Sequence, residues 1–139
     1  MTLSNGRKAI TLFCDGAARG NPGPGACGYV LYDGEKEIDR QGESLGVVTN
    51  NVAEYEAVIR GLKKCIEHGA SEVVVKSDSE LLIRQLNGQY RVRAPHLVPL
   101  FTSAKELIRK FKKSSLVHVR REQNKLADRL CNDVLDGVY

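Results

Sequence analysis

No stretch of the 139-residue chain approaches the roughly 18 consecutive apolar residues that a membrane span requires, so no membrane partner is expected. The opening run Met1-Thr2-Leu3-Ser4-Asn5-Gly6-Arg7-Lys8 carries no apolar segment ahead of a cleavage site. No secretory leader is expected, and the expected location is the cytoplasm. The four cysteines, Cys14, Cys27, Cys65 and Cys131, never fall in C-x-x-C spacing, which argues against a zinc site and leaves buried, reduced thiols as the reading. Internal repeats, linkers and low-complexity segments are also missing. At this length roughly two thirds of the unfolded chain's surface can be buried, so a single domain over residues 1–139, working as a monomer without an obligate protein partner, is expected.

What is present is an ordinary soluble composition, 42% hydrophobic and 27% charged, with 21 basic against 17 acidic residues for a net charge of +4. That balance is only a weak pointer to a polyanionic partner. Residues 8–14 read as a buried strand, ended by the glycine-rich run from Gly16 to Gly28. Short strands over 26–32 and 36–43 flank Asp33-Gly34, a hairpin dipeptide. Helical spacing runs from Asn50 to His68, with Thr49 or Asn50 as cap and Gly69 as stop. A strand over 72–76 and a short helix over 79–86 follow. Pro95 and Pro99 introduce a helix over 99–112 whose outer face gathers Lys105, Arg109 and Lys112, with Lys110 and Lys113 beside them. A strand over 115–119 and a helix over 124–136 burying Ala127, Leu130, Cys131, Val134 and Leu135 complete the chain. The order βββαβααβα describes a mixed sheet with helices packed on its faces, an α/β fold.

Four carboxylates stand where packing gains nothing from charge. Asp15 follows the first apolar strand, and Asp78 stands in the same relation to Val73-Val74-Val75. If those strands are parallel neighbours, a spacing of about 4.8 Å sets the two acids side by side, at the sheet edge where open α/β sheets bind ligands. Glu54 is followed at helical spacing by Ala57, Val58, Gly61, Leu62 and Cys65, so it lies on a buried stripe. Asp128 follows Ala127 and precedes Cys131 and Leu135 along one helical face. Any one of these acids alone reads as a cap or a solvated residue. Grouped, they repel one another and pay for desolvation, and a cation must hold them together. Lys or Arg could serve, but an all-oxygen set with open positions suits Mg²⁺, with Mn²⁺ as substitute. Two such ions about 4 Å apart can activate a water and stabilise the leaving oxygen of a phosphodiester displacement.

The segments around these acids form a recognisable pattern: Asp15-Gly16-Ala17-Ala18-Arg19-Gly20-Asn21-Pro22-Gly23-Pro24-Gly25-Ala26-Cys27-Gly28, Thr49-Asn50-Asn51-Val52-Ala53-Glu54, Ser77-Asp78-Ser79 and Asn124-Lys125-Leu126-Ala127-Asp128. Together they resemble the ribonuclease H type 1 family from about Ala9 to Leu135. The resemblance implies a five-stranded mixed sheet of order 3-2-1-4-5 with helices on both faces. It implies Asp15, Glu54, Asp78 and Asp128 as catalytic metal ligands for two Mg²⁺ ions, and an RNA/DNA hybrid whose RNA strand is cut to 5′-phosphate and 3′-hydroxyl ends. Gly16, Ala17, Ala18, Arg19 and Asn21 would contact the RNA strand, Asn50 and Asn51 bases and sugars of the hybrid, and Ser79 and Glu80 the duplex near the third acid. Glu80 stands where the family more often has Gln.

Other departures concern the loop before the fourth acid, shortened here to Arg120-Arg121-Glu122-Gln123. The family's usual loop His is missing, Arg121 is the candidate to stabilise the departing phosphate, and His118, inside the last strand, reads as structural. This short form resembles a subgroup of archaea and bacteria. The basic handle that some members insert is absent too, since Gln89–Pro95 leads straight into the next helix, leaving Arg91, Arg93 and the basic helix face as candidates for phosphate contact. The alternative on the same fold is a non-catalytic or reverse-transcriptase-derived hybrid-binding domain. Gly23-Pro24-Gly25-Ala26-Cys27-Gly28 matches a dinucleotide-binding fingerprint in letters only, because it opens a strand and not a helix.

Overall fold

The computed structural model describes residues 8–138; the N-terminal segment weighed for a leader, residues 1–7, and Tyr139 lie outside them. Its elements are β1 (Ala9–Ala18), β2 (Gly23–Asp33), β3 (Lys36–Val48), α1 (Asn50–Glu67), β4 (Glu72–Ser77), α2 (Glu80–Leu86), α3 (Val98–Ile108), β5 (Lys113–His118) and α4 (Lys125–Leu135), with short 3₁₀ turns at Pro95–Leu97 and Arg121–Gln123. One five-stranded sheet runs β3-β2-β1-β4-β5. β1, β2 and β3 are antiparallel neighbours, while β4 lies parallel to both β1 and β5. Both the expected element order and the expected strand order are found.

The period of two along β1 divides the molecule. Ile10, Leu12 and Cys14 are buried against α1, and Thr11, Phe13 and Asp15 face the opposite side. The first set joins Tyr29, Leu31, Tyr55, Val58, Leu62, Val75, Leu82, Leu86 and Phe111 in a core roofed by α1, α2 and α3. Among the described residues α4 alone covers the other face, lying on β1, β2 and β3. All four cysteines are buried free thiols, as expected, and desolvation pushes those of Cys27, Cys65 and Cys131 up to about 12.

Three expectations need correction. The glycine-rich run does not end the first strand: β1 continues to Ala18 and β2 starts at Gly23, because backbone pairing from Asp15↔Gly28 to Ala18↔Gly25 needs no side chains. The basic helix stops at Ile108, not 112. Phe111 turns back into the core and the Lys112 amide bonds the Ser71 carbonyl at 2.8 Å to begin β5, so Lys105, Arg109 and Lys112 do not share a continuous helical face. Lys105 instead donates to the Leu86 carbonyl at the end of α2, at 3.0 Å, the end of a helix that favours a cation. Finally, of the residues expected to be buried in α4 only Ala127 and Cys131 are, since Leu130, Val134 and Leu135 lie along a rim that β3 covers only in part.

Candidate active site

Two glycines flanking Asp15 bring its neighbours to it. Gly16 follows it on the face toward α1, and a Cβ there would meet the Ala53 carbonyl oxygen at 2.2 Å and the Glu54 nitrogen at 2.6 Å. Gly28 is the cross-strand partner of Asp15, and a Cβ there would meet the Ala127 carbonyl oxygen at 2.4 Å. Both contacts are closer than any real side chain permits. Hydrogen in place of a methyl therefore lets α1 and α4 descend on opposite faces of β1, delivering Glu54 from one and Asp128 from the other.

Asp78 arrives by the sheet itself, just beyond the end of β4, the strand parallel to β1. Burial, the charge of Asp78 and a hydrogen bond shared with the Asp128 carboxyl push the Asp15 carboxyl up to about 8, with further repulsion from Asp128 and Glu54. Burial pushes Glu54 up to about 7, opposed by a hydrogen bond with Ser79 and reinforced by the Asp78 charge. All four acids are half-buried. None forms an ion pair with Lys or Arg among the described residues. No three His, Cys, Asp or Glu side chains among those residues close into a ready-made cage for a metal. The acids nevertheless fit Mg²⁺, an ion that keeps several waters and takes one or two carboxylates together with substrate oxygens. Uncompensated charge and an all-oxygen donor set are what a hard dication would answer.

The remaining expected site residues fall into separate groups. Asn21, Asn50 and Ala18 are joined: the Asn50 amide donates to Asn21 Oδ1 at 3.1 Å, and the Ala18 amide to Asn50 Oδ1 at 2.8 Å. The side-chain oxygens are thus committed to the backbone, tying the β1–β2 turn to the start of α1. Thr49 caps that helix through its hydroxyl, 3.3 Å from the Val52 amide. Asn51 is exposed beside it, and Gly16 and Ala17 lie within β1. Arg19, in the turn, pairs with Asp136 at 2.6 Å. Ser79 caps α2 through the Leu82 amide, at 3.3 Å, in addition to its bond with Glu54. Glu80 is exposed and paired with Arg84 at 2.8 Å. Arg121 is exposed in the 3₁₀ turn before α4, and His118, also exposed, is the register partner of Ser77 at the end of β5. One contributor was not singled out by its residue type: Asn124, 1% exposed, donates to Asp78 Oδ1 at 3.0 Å. Its place four residues before Asp128 was the available signal.

A family model described as reverse transcriptase-like matches residues 13–134. Ribonuclease HI of Halobacterium salinarum is 40% identical over 130 residues, 93% of this chain and 65% of that protein. The crystal structure of that archaeon's ribonuclease H1 superposes with a TM-score of 0.91, covering 94% of this chain and 99% of that one at 37% identity. This chain belongs to the ribonuclease H type 1 family. LC11 ribonuclease H1, whose crystal structure holds an RNA/DNA hybrid, aligns with a TM-score of 0.87 and 38% identity over 92% of this ribonuclease H chain and 97% of its own. A bifunctional protein of Mycobacterium tuberculosis is 37% identical over 93% of this chain, which spans only 36% of that protein's length. No helix among the described residues of this ribonuclease H domain is long and apolar enough to cross a membrane.

Proposed function

We propose that this domain hydrolyses the RNA strand of RNA/DNA hybrids as a two-metal endoribonuclease, leaving 5′-phosphate and 3′-hydroxyl ends. The observation that carries the reading is the convergence of four carboxylates from four elements on one open sheet edge, with no Lys or Arg partner among the described residues. Asp15, Glu54, Asp78 and Asp128 would hold Mg²⁺, or Mn²⁺ in its place. When bound, the metal supplies charge for the attacking and leaving oxygens of the phosphodiester.

Each protein group has a separate task in this reading. Asp15, central to the other three, is kept from relaxing into solvent by the close approach of α1 and α4. Ser79 orients Glu54 through their hydrogen bond. Asn21 and Asn50 have spent their oxygens on the backbone, so each keeps its NH₂ group to donate to base or sugar acceptors in a shallow minor groove, where 2′-hydroxyls distinguish RNA. Asn51, Ser79 and Glu80 border the same path, with Gly16, Ala17, Ala18 and Arg19 on the RNA side. Arg121 would meet the departing phosphate, as a guanidinium does well. We take residues 1–139 as one such domain, acting as a cytoplasmic monomer.

A labelled RNA/DNA hybrid incubated with and without Mg²⁺ tests the proposal. Cleavage of the RNA strand only, and only with the metal, is expected. A hybrid that is bound but left intact in Mg²⁺ would make the chain a binding module.

A further inference from the structure

We propose that Asn124 is a positioning residue that sets the separation of Asp15 and Asp78, so that the two carboxylates can share one divalent cation. The inference rests on the metal-site reading above and adds a residue to it.

The backbone does not set that separation. Pairing between β1 and β4 ends at Phe13↔Lys76, so both acids lie two residues beyond the last register pair. Past that point β1 pairs only with β2, and β4 continues only against β5, to Ser77↔His118. A parallel ladder that stops short leaves its two strand ends free to splay.

The Cys14 thiol reaches the Lys76 carbonyl across the last paired residues, at 3.6 Å, and beyond them, among the described residues, one side-chain amide spans the gap. Asn124 Nδ2 donates to the Cys14 carbonyl at 2.9 Å, on the residue just before Asp15, and to Asp78 Oδ1 at 3.0 Å. Both of its hydrogens are used. The amide cannot be turned over, because its oxygen would then face a carbonyl and a carboxylate with no hydrogen between them. The Asn124 backbone joins the same frame: its carbonyl accepts the Asp128 amide at 3.1 Å, and its own amide bonds the Arg121 carbonyl at 3.0 Å. One residue therefore touches the strand of Asp15, the carboxylate of Asp78 and the helical turn of Asp128.

Packing does not account for it. The side chain is 1% exposed, and its Oδ1 is buried without a partner. A leucine, with the same branched outline, would occupy the site without that unsatisfied acceptor, which is costly to bury. What leucine could not do is donate to both strands. The held oxygen of Asp78 also fixes the direction of its second one, which has no hydrogen-bond partner among the described residues. Groups that orient metal ligands in this way typically matter about 10- to 100-fold in metal affinity.

The test is a double-mutant cycle on cation affinity, read by calorimetric titration with Mn²⁺ in the absence of hybrid. Asn124→Ala should weaken Mn²⁺ binding by about 10-fold and lower kcat, with KM for the hybrid changed less than about 2-fold. In an Asp78→Asn background the same substitution should cause no further loss, because its effect passes through Asp78. Equal loss in both backgrounds would show a general structural role and overturn the proposal, as would wild-type affinity in Asn124→Ala. If Asp78→Asn itself bound Mn²⁺ like the wild type, the metal-site reading would fail first. Should Asn124→Ala not fold, Asn124→Leu keeps the branched shape without the donors and should show the same loss. The wild type alone also decides the matter: the Asn124 side-chain amide protons should exchange slowly and shift on Mg²⁺ addition. Fast exchange with no shift would sink the idea.

Discussion

Replacing Glu54 by Gln should make the metal-free protein more stable while removing its activity. Burial and the Asp78 charge raise the Glu54 carboxyl from 4.5 to about 7. At about 1.4 kcal/mol per unit, its ionised form costs the folded state at most about 3.5 kcal/mol. The amide keeps the shape but loses part of the bond with Ser79, and its own polar head still has to be desolvated. A net gain of about 1 kcal/mol remains, the size commonly recovered when a functional-site charge is removed. For a chain of this length that is about 3–4 °C in Tm.

The pH dependence gives the sign. Below about pH 4.5 Glu54 is protonated both folded and unfolded, and the substitution gains nothing from charge. As pH rises through 4.5 toward 7 the unfolded chain ionises while the folded one resists, so wild-type stability falls, and above 7 the full cost is present. Melts in EDTA at pH 5 and pH 8 should therefore show the variant ahead by little at the first and by several degrees at the second. Mg²⁺ at pH 8 should close the difference, because it stabilises the wild type by mass action and binds the variant less well. A variant that melts below wild type in EDTA at pH 8 would mean that Glu54 is held by a cation and serves the fold, and an equal gain at both pH values would mean that its ionisation is not what costs stability.

Three further outcomes follow from the same geometry. Asp15→Asn should abolish hybrid cleavage while leaving hybrid binding within about 3-fold in a filter or anisotropy assay, since other groups hold the duplex; retention of a tenth of wild-type cleavage in Mg²⁺ would refute its role. Gly28→Ala forces a methyl into the Ala127 carbonyl and should cost about 2–3 kcal/mol in denaturant unfolding while lowering cleavage by displacing Asp128. Full activity in a folded Gly28→Ala protein would show that the approach of α4 is not needed. Arg121→Ala should lower kcat more than it raises KM, whereas an unchanged kcat with a raised KM in steady-state assays would make Arg121 a simple phosphate contact.

Much of this molecule is written in local patterns. Alternation in β1, the helical stripe carrying Glu54, Thr49 ahead of α1 and Asp33-Gly34 between β2 and β3 each depend on residues a few positions apart, so element order and the out-of-place acids were legible without coordinates. Where the strands stop was not. β1 runs on through Gly16, Ala17 and Ala18 because β2 offers its backbone there, and the basic helix ends early because Phe111 finds the core. The strand order came from resemblance, since no local signal states that β4 returns beside β1. Tertiary structure alone decided which groups meet around Asp15. In sequence Gly16 reads as a loop glycine and Gly28 as one residue of a short strand, yet both act by letting backbone from α1 and α4 approach within a distance that no side chain allows. Asn124 is an ordinary polar residue before a helix until folding brings it against Cys14, 110 positions away, and Asp78, 46 positions away. Periodicity fixes which face a side chain takes within its own element; the distance between two elements is set only by what lies between them.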